Sequence, residues 1–187
     1  MARVDGESLK GKLLVANPAL EDPNFDRTVV LVLEHHDEGA VGVILNRPSE
    51  TAVEEVLPLW ASVAAEPAVV FVGGPVAPGS AIGLGCGSLP SGDGEGFTVV
   101  LGAVGVLDLS LGPDELEVDD VRVFSGYAGW SPGQLEGEIA AGGWFVVDAL
   151  PGDASAADAA NLWRSVLRRQ GGDLALVATF PADPSLN

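Results

Sequence analysis

The chain has 187 residues, one cysteine, and 27 acidic against 9 basic residues, for a net charge of −18. A chain of that length fits one domain, buries roughly 70% of its unfolded surface and needs no disulfide or metal staple. A lone cysteine makes no intrachain disulfide and fits a reducing cytoplasm. The charge argues against direct nucleic-acid binding, which needs Lys and Arg to displace phosphate counterions: residues 48–121 hold twelve acidic residues and neither Lys nor Arg.

Residues 1–12 contain no apolar signal-peptide core, so no leader is expected. Residues 1–8 read as a flexible N-terminus on a single domain spanning 1–187. Residues 13–16 form a first short strand, followed by the turn-rich Asn17-Pro18 and Glu21-Asp22-Pro23-Asn24. Residues 28–34 are rich in β-branched side chains and predict a buried strand, 35–39 a polar turn, and 40–45 a second strand of the same hairpin. Apolar runs such as 29–33 and 68–72 are far shorter than the about 20 residues of a membrane span, so none is expected.

Thr51 and Glu54 have capping-box spacing, and Val53, Val56, Leu57, Trp60 and Val63 follow helical periodicity. Pro58 predicts a kink or two short helices. Residues 69–72 read as a strand ended by Gly73-Gly74-Pro75, residues 79–96 as a glycine-rich loop, and 97–101, 104–109 and 121–125 as strands. Ser131-Pro132-Gly133-Gln134 predicts a helix start, with Ser131 as cap and Pro132 in the first helical position. Gly142 and Gly143 end that helix. A strand over 144–147, a helix over 155–170 and a strand over 174–180 complete the chain. The helix carries the apolar stripe Ala159, Leu162, Trp163 and Val166. Arg164, Arg168 and Arg169 lie near its C-terminal end, where they complement the dipole rather than make a nucleic-acid patch. Strands outnumber helices and come partly in hairpin order, which predicts an α+β fold with a mixed sheet.

No motif assembles a catalytic centre, and no catalytic residue, metal ligand or cofactor is assigned. Gly129-Trp130-Ser131-Pro132-Gly133 matches a nucleophile elbow in form. However, the oxyanion hole of that motif uses the N–H after the serine, and Pro132 has none. Glu34-His35-His36-Asp37-Glu38 gathers ligand-type residues, but neighbours on a strand face opposite ways, so the segment reads as a solvated hairpin end. Gly83-Leu84-Gly85-Cys86-Gly87 lacks the third glycine of a dinucleotide fingerprint. Cys86 has no Lys, Arg or His nearby in sequence to lower its pKa, so an inert thiol is expected.

Two loops carry the remaining signal. Asn46-Arg47-Pro48 follows a strand and holds one of the nine basic residues. Gly126-Tyr127-Ala128-Gly129-Trp130 joins a strand to a helix and pairs permissive glycines with rigid aromatics. Core packing of Tyr127 and Trp130 and a structural role for Arg47 stand beside the binding-site reading.

The segments Leu13-Leu14-Val15-Ala16-Asn17-Pro18, Asp22-Pro23-Asn24-Phe25, Gly39-Ala40-Val41-Gly42-Val43-Ile44-Leu45-Asn46-Arg47-Pro48, Gly73-Gly74-Pro75-Val76, Phe124-Ser125-Gly126-Tyr127-Ala128-Gly129-Trp130 and Gln134-Leu135-Glu136-Gly137-Glu138 occur in that order, followed by Trp144. The series resembles the YqgE/AlgH family of bacterial proteins, from about residue 9 to about residue 180. The resemblance implies a large curved sheet, partly closed like a barrel and flanked by helices. It implies no reaction and no cofactor. Some members carry the label of transcriptional regulator, from an effect on alginate synthesis genes. Residues and resemblance together predict a non-enzymatic cytoplasmic binding or regulatory protein, affecting transcription indirectly through a protein partner or small ligand. The predicted site is Asn46, Arg47, Pro48, Gly73, Gly74, Pro75, Gly126, Tyr127, Gly129 and Trp130. An enzyme using Glu138, Tyr127 or His35 as acid or base is the alternative, and a direct DNA binder comes third.

Overall fold

The structure, a computed structural model, describes residues 7–87 and 94–181. Most of the expected N-terminal tail, residues 1–6, and residues 88–93 of the expected loop lie outside that range. Ten strands form one curled sheet: β1 (Lys12–Ala16), β2 (Val29–His36), β3 (Gly39–Ile44), β4 (Pro48–Ala52), β5 (Val69–Val72), β6 (Val76–Gly87), β7 (Phe97–Leu101), β8 (Val104–Leu107), β9 (Val118–Trp130) and β10 (Trp144–Asp148). Their order is β10-β1-β2-β3-β9-β6-β8-β7, with β4 and β5 branching off β9. Pairing is antiparallel except where β5 runs parallel to β9. The sheet therefore is mixed and curved as expected. It curls until Gly11, beside β1, lies against the Val100 carbonyl of β7, yet β7 and β10 remain unpaired edges, so the barrel does not close.

Both faces of the sheet are covered, which is why the strand sequences read as continuous apolar runs rather than alternations. Leu13 and Val15 of β1 face an inner core with Leu31, Phe71 and Phe124, where helix α4 (Leu162–Gln170) packs through Trp163, Val166 and Leu167. Leu14 and Ala16 face a second core with Val30, Ile44, Trp130 and Trp144, covered by α3 (Gln134–Ala140). A third core, around Trp60, Val70, Phe97 and Val121, lies under α1 (Val53–Val56), the 3-10 turn Pro58–Val63 and α2 (Pro113–Leu116).

Several expectations need correction. Residues 79–87, expected as loop, are the body of β6. Its glycines alternate on one face because Leu109 and Leu107 fill the space there: a Cβ on Gly83 would lie 2.6 Å from Leu109, and one on Gly85 2.7 Å from Leu107. The Gly126–Trp130 segment is the end of β9, not a loop. The expected last strand is helix α5 (Gly172–Val177), whose Leu174 and Val177 pack on the inner core at helical spacing while Leu176 stays exposed. The helix expected over 155–170 starts only at Leu162, after two 3-10 turns.

Thr51 lies in β4, and the carboxylate that accepts from a first-turn backbone N–H is Glu55, from Ala52, not Glu54. Gln134 accepts from the Ser131 N–H as the box predicts, but Gly133, at φ 73°, caps the helix, so Pro132 lies outside it. Pro58 does divide its region into two short helices. Strand β4 and helix α2 were not anticipated.

Candidate functional site

Three of the predicted segments meet where β9 changes partners. On one edge, β9 pairs with β5 through Phe71↔Phe124 and Val72↔Ser125, then with β3 through Gly42↔Ala128 and Val41↔Gly129. The two residues between are Gly126 and Tyr127. Gly73 bridges the gap: its N–H donates to the Ser125 carbonyl at 2.8 Å, and its own carbonyl accepts from Ile44 at 2.8 Å. Val72 donates to the Arg47 carbonyl at 2.7 Å. The backbones approach so closely that a Cβ on Gly74 would stand 2.1 Å from the Tyr127 carbonyl carbon, and only glycine fits. Pro75 is exposed beside this junction.

The side chains at the junction hold it together. Asn46 accepts from the Val29 N–H at 2.9 Å and donates to the Arg27 carbonyl at 2.8 Å. The Arg47 guanidinium donates to the carbonyls of Asn24 (2.6 Å), Asp26 (3.2 Å) and Pro23 (3.4 Å). Tyr127 packs against the inner core. Trp130 belongs to a separate aromatic cluster: it stacks on Phe25, meets Trp144 edge-on, and donates its indole N–H to Glu138 at 2.9 Å. Trp144 donates to the same Glu138 oxygen at 2.8 Å.

The acid–base candidates do not converge. Glu138 is engaged by those two indoles and by Gln134. His35 meets Glu136 at 2.7 Å and accepts the Leu9 N–H on Nδ1. Glu136 is held below the usual carboxylate range by its own backbone N–H and then by His35. Among the described residues, no group of three or more His, Cys, Asp and Glu side chains could hold a metal ion, and no helix is long and apolar enough to cross a membrane. Burial, then Asp120 and Asp119, push the Cys86 thiol up.

Beside the junction, an apolar groove of about 450 Å³ runs between β4–α1 and the outward-bowed start of β6. Its floor is Phe71, Val72 and Phe124, and Ser49, Thr51, Ser80 and Ser125 supply hydroxyls. Strand β6 leaves β9 between Val76 and Ala81, where Ala77 takes φ 46° and the Ser125 hydroxyl donates to the Pro78 carbonyl. Two of its lining side chains are exposed apolar groups: Val56 at 52% and Val72 at 42%. Sequence reading missed this groove because it depends on β4 and on the bow in β6, neither of which has a periodic signature.

The AlgH-like family profile matches residues 13–175. The chain belongs to the AlgH-like family. UPF0301 proteins of Streptomyces coelicolor and Streptomyces avermitilis are 54% and 52% identical to it, each alignment covering 96% of both chains. A crystal structure of a Corynebacterium diphtheriae protein superposes with a TM-score of 0.88 at 35% identity, covering 96% of this chain and 95% of that one. The solution structure of Pseudomonas aeruginosa AlgH gives 0.67 at 29% identity, covering 98% and 100%. The resemblance read from the ordered motifs thus holds over nearly the whole chain, and the AlgH-like fold is an α+β sheet that stops short of closing.

Proposed function

We propose that this AlgH-like protein is a non-enzymatic cytoplasmic binding protein that acts through a protein partner, which seats an apolar, basic segment in the groove beside the β5–β9 junction. The observation that carries this reading is the exposed apolar Val56 and Val72 in the groove's lining, in a chain region rich in carboxylates. A contiguous exposed apolar surface marks an interaction site more often than a lone apolar residue does. The exposed Glu50, Glu54 and Glu55 lie in the same chain segment as the lining residues Ser49, Thr51 and Val56, within a 74-residue stretch, residues 48–121, that has no Lys or Arg. A partner bearing Lys or Arg beside its apolar anchors is therefore favoured in both encounter and register.

In this reading Asn46, Arg47, Gly73, Gly74, Gly126 and Tyr127 build the junction beside the groove, Pro48 adjoins the lining residue Ser49, and Pro75 is exposed at the junction. Gly129 and Trp130 hold the neighbouring wall of the fold. An effect on transcription would pass through the partner, since a net charge of −18 disfavours direct contact with DNA.

The test is photo-crosslinking in living cells, with the reactive side chain placed at Val56 or Val72, and at the exposed Ala140 of α3 as control. One common protein captured from positions 56 and 72 but not 140, through a peptide containing Lys or Arg, is the expected result. Equal capture from all three positions would refute the site.

A further inference from the structure

A second cavity lies on the inner side of the curl and shares β6 with that groove, Ile82 lining the cavity and Ala81 the groove. We propose that it binds a small organic cation, an amine carried on an apolar body. The cavity measures about 360 Å³, at the small end of the range for ligand pockets. Its walls come from both sides of β9: Leu33 and Val41 on the β2–β3 side, Ile82, Val100 and Val106 on the β6–β8–β7 side. Incomplete barrel closure leaves this space, and partly open barrel mouths are a common ligand position.

The mouth fixes the charge of the occupant. Glu34, His36 and Glu38 line it from the β2–β3 hairpin, and all three are exposed. Neither Glu34 nor Glu38 forms an ion pair within the described residues. His36 accepts the Glu38 N–H on Nδ1, which tethers the turn. No Lys or Arg lines the cavity, so an anionic head would meet two carboxylates without compensation. An ammonium would sit between them while its hydrocarbon enters the Leu33–Val100–Val106 space. The volume suits a compact ligand better than a peptide segment.

A matched series tests this on the full-length protein: 4-phenylbutylamine, 4-phenylbutanol and 4-phenylbutyrate, titrated by calorimetry and by methyl NMR. The amine is expected to bind about five- to tenfold tighter than the alcohol, with the carboxylate weakest, and to shift the Leu33, Val41, Val100 and Val106 methyls. Glu34→Gln with Glu38→Gln, both at exposed positions, should bring the amine down to the level of the alcohol. Binding that ignores head-group charge, methyl shifts elsewhere, or an amine preference that survives the double substitution would overturn the assignment. A Lys-containing apolar peptide binding there more tightly than the amine would overturn the small-molecule class.

Discussion

Glu138 accepts two buried indole donors on one oxygen, from Trp130 at 2.9 Å and Trp144 at 2.8 Å, and Gln134 donates to the other oxygen at 3.0 Å. Both tryptophans are buried, so Glu138→Ala leaves two N–H groups without a partner. Each unsatisfied buried donor costs about 1–3 kcal/mol, and water reaching the half-exposed Glu138 position lowers the total toward about 2–4 kcal/mol. Glu138→Gln keeps a carbonyl oxygen for both indoles but turns an amide N–H₂ toward Gln134, which costs about 1 kcal/mol. Urea unfolding followed by tryptophan fluorescence measures both, and unchanged m-values establish that the comparison is one of stability. The penalty of Glu138→Ala should shrink in a Trp144→Phe background, where one donor is already gone. A Glu138→Ala variant within 0.5 kcal/mol of wild type would refute the account of this cluster.

Arg122 is 2% exposed, with its guanidinium 4.1 Å over the Phe71 ring and Nη2 donating to the Glu66 and Ser155 carbonyls, while Nε finds no partner. Burial pulls its pKa down to about 10, so it is still charged at neutral pH. Arg122→Met is expected to lower stability by about 2–4 kcal/mol in the same unfolding assay, because two stranded carbonyls outweigh the relief of removing a buried charge; a variant as stable as wild type would reverse that ranking. The depressed pKa of Glu136 makes its contribution to stability complete above its ordinary value near 4.5 and lost as pH falls below it. Glu136→Gln should therefore lose that contribution at neutral pH, by less than about 1 kcal/mol for so exposed a group, and converge with wild type as pH falls below about 4.5; a stability difference that does not shrink in acid would contradict this. The raised pKa of Cys86 leaves little thiolate, so iodoacetamide at pH 8 should alkylate the folded protein more slowly than the urea-unfolded chain, as read by mass spectrometry. Faster alkylation of the folded form would contradict it.

How much of this was legible depended on what each segment's neighbours do. Strands β1, β2 and β3 were readable because both of their faces are buried and their apolar runs end at turn residues. Strand β6 was not, because its glycines look like loop until Leu107 and Leu109 are placed against them. Helix α5 was not either, since Leu174-Ala175-Leu176-Val177 satisfies strand and helix patterns alike over so few residues. The same holds for the site. Arg47 reads as a candidate binding residue in a chain with few cations, and only the fold places the carbonyls of Pro23, Asn24 and Asp26 around it. Trp130 reads as a contact residue beside permissive glycines, and its stacking with Phe25 joins residues distant in sequence. The glycine doublet at 73–74 was legible as a turn, but its role in bridging β5, β9 and the end of β3 belongs to the tertiary structure.

The central claim, that the groove between β4–α1 and β6 takes a basic apolar segment, is tested most directly by selecting peptides from a random display library on the immobilised protein. Each enriched peptide is then compared on wild type and on Val72→Glu, a substitution at an exposed position. The account predicts peptides that combine Lys or Arg with large apolar residues and lose at least about tenfold in affinity on the variant, as burying a charge against an apolar anchor requires. Peptides without basic residues, or peptides that bind Val72→Glu as tightly as wild type, would contradict it.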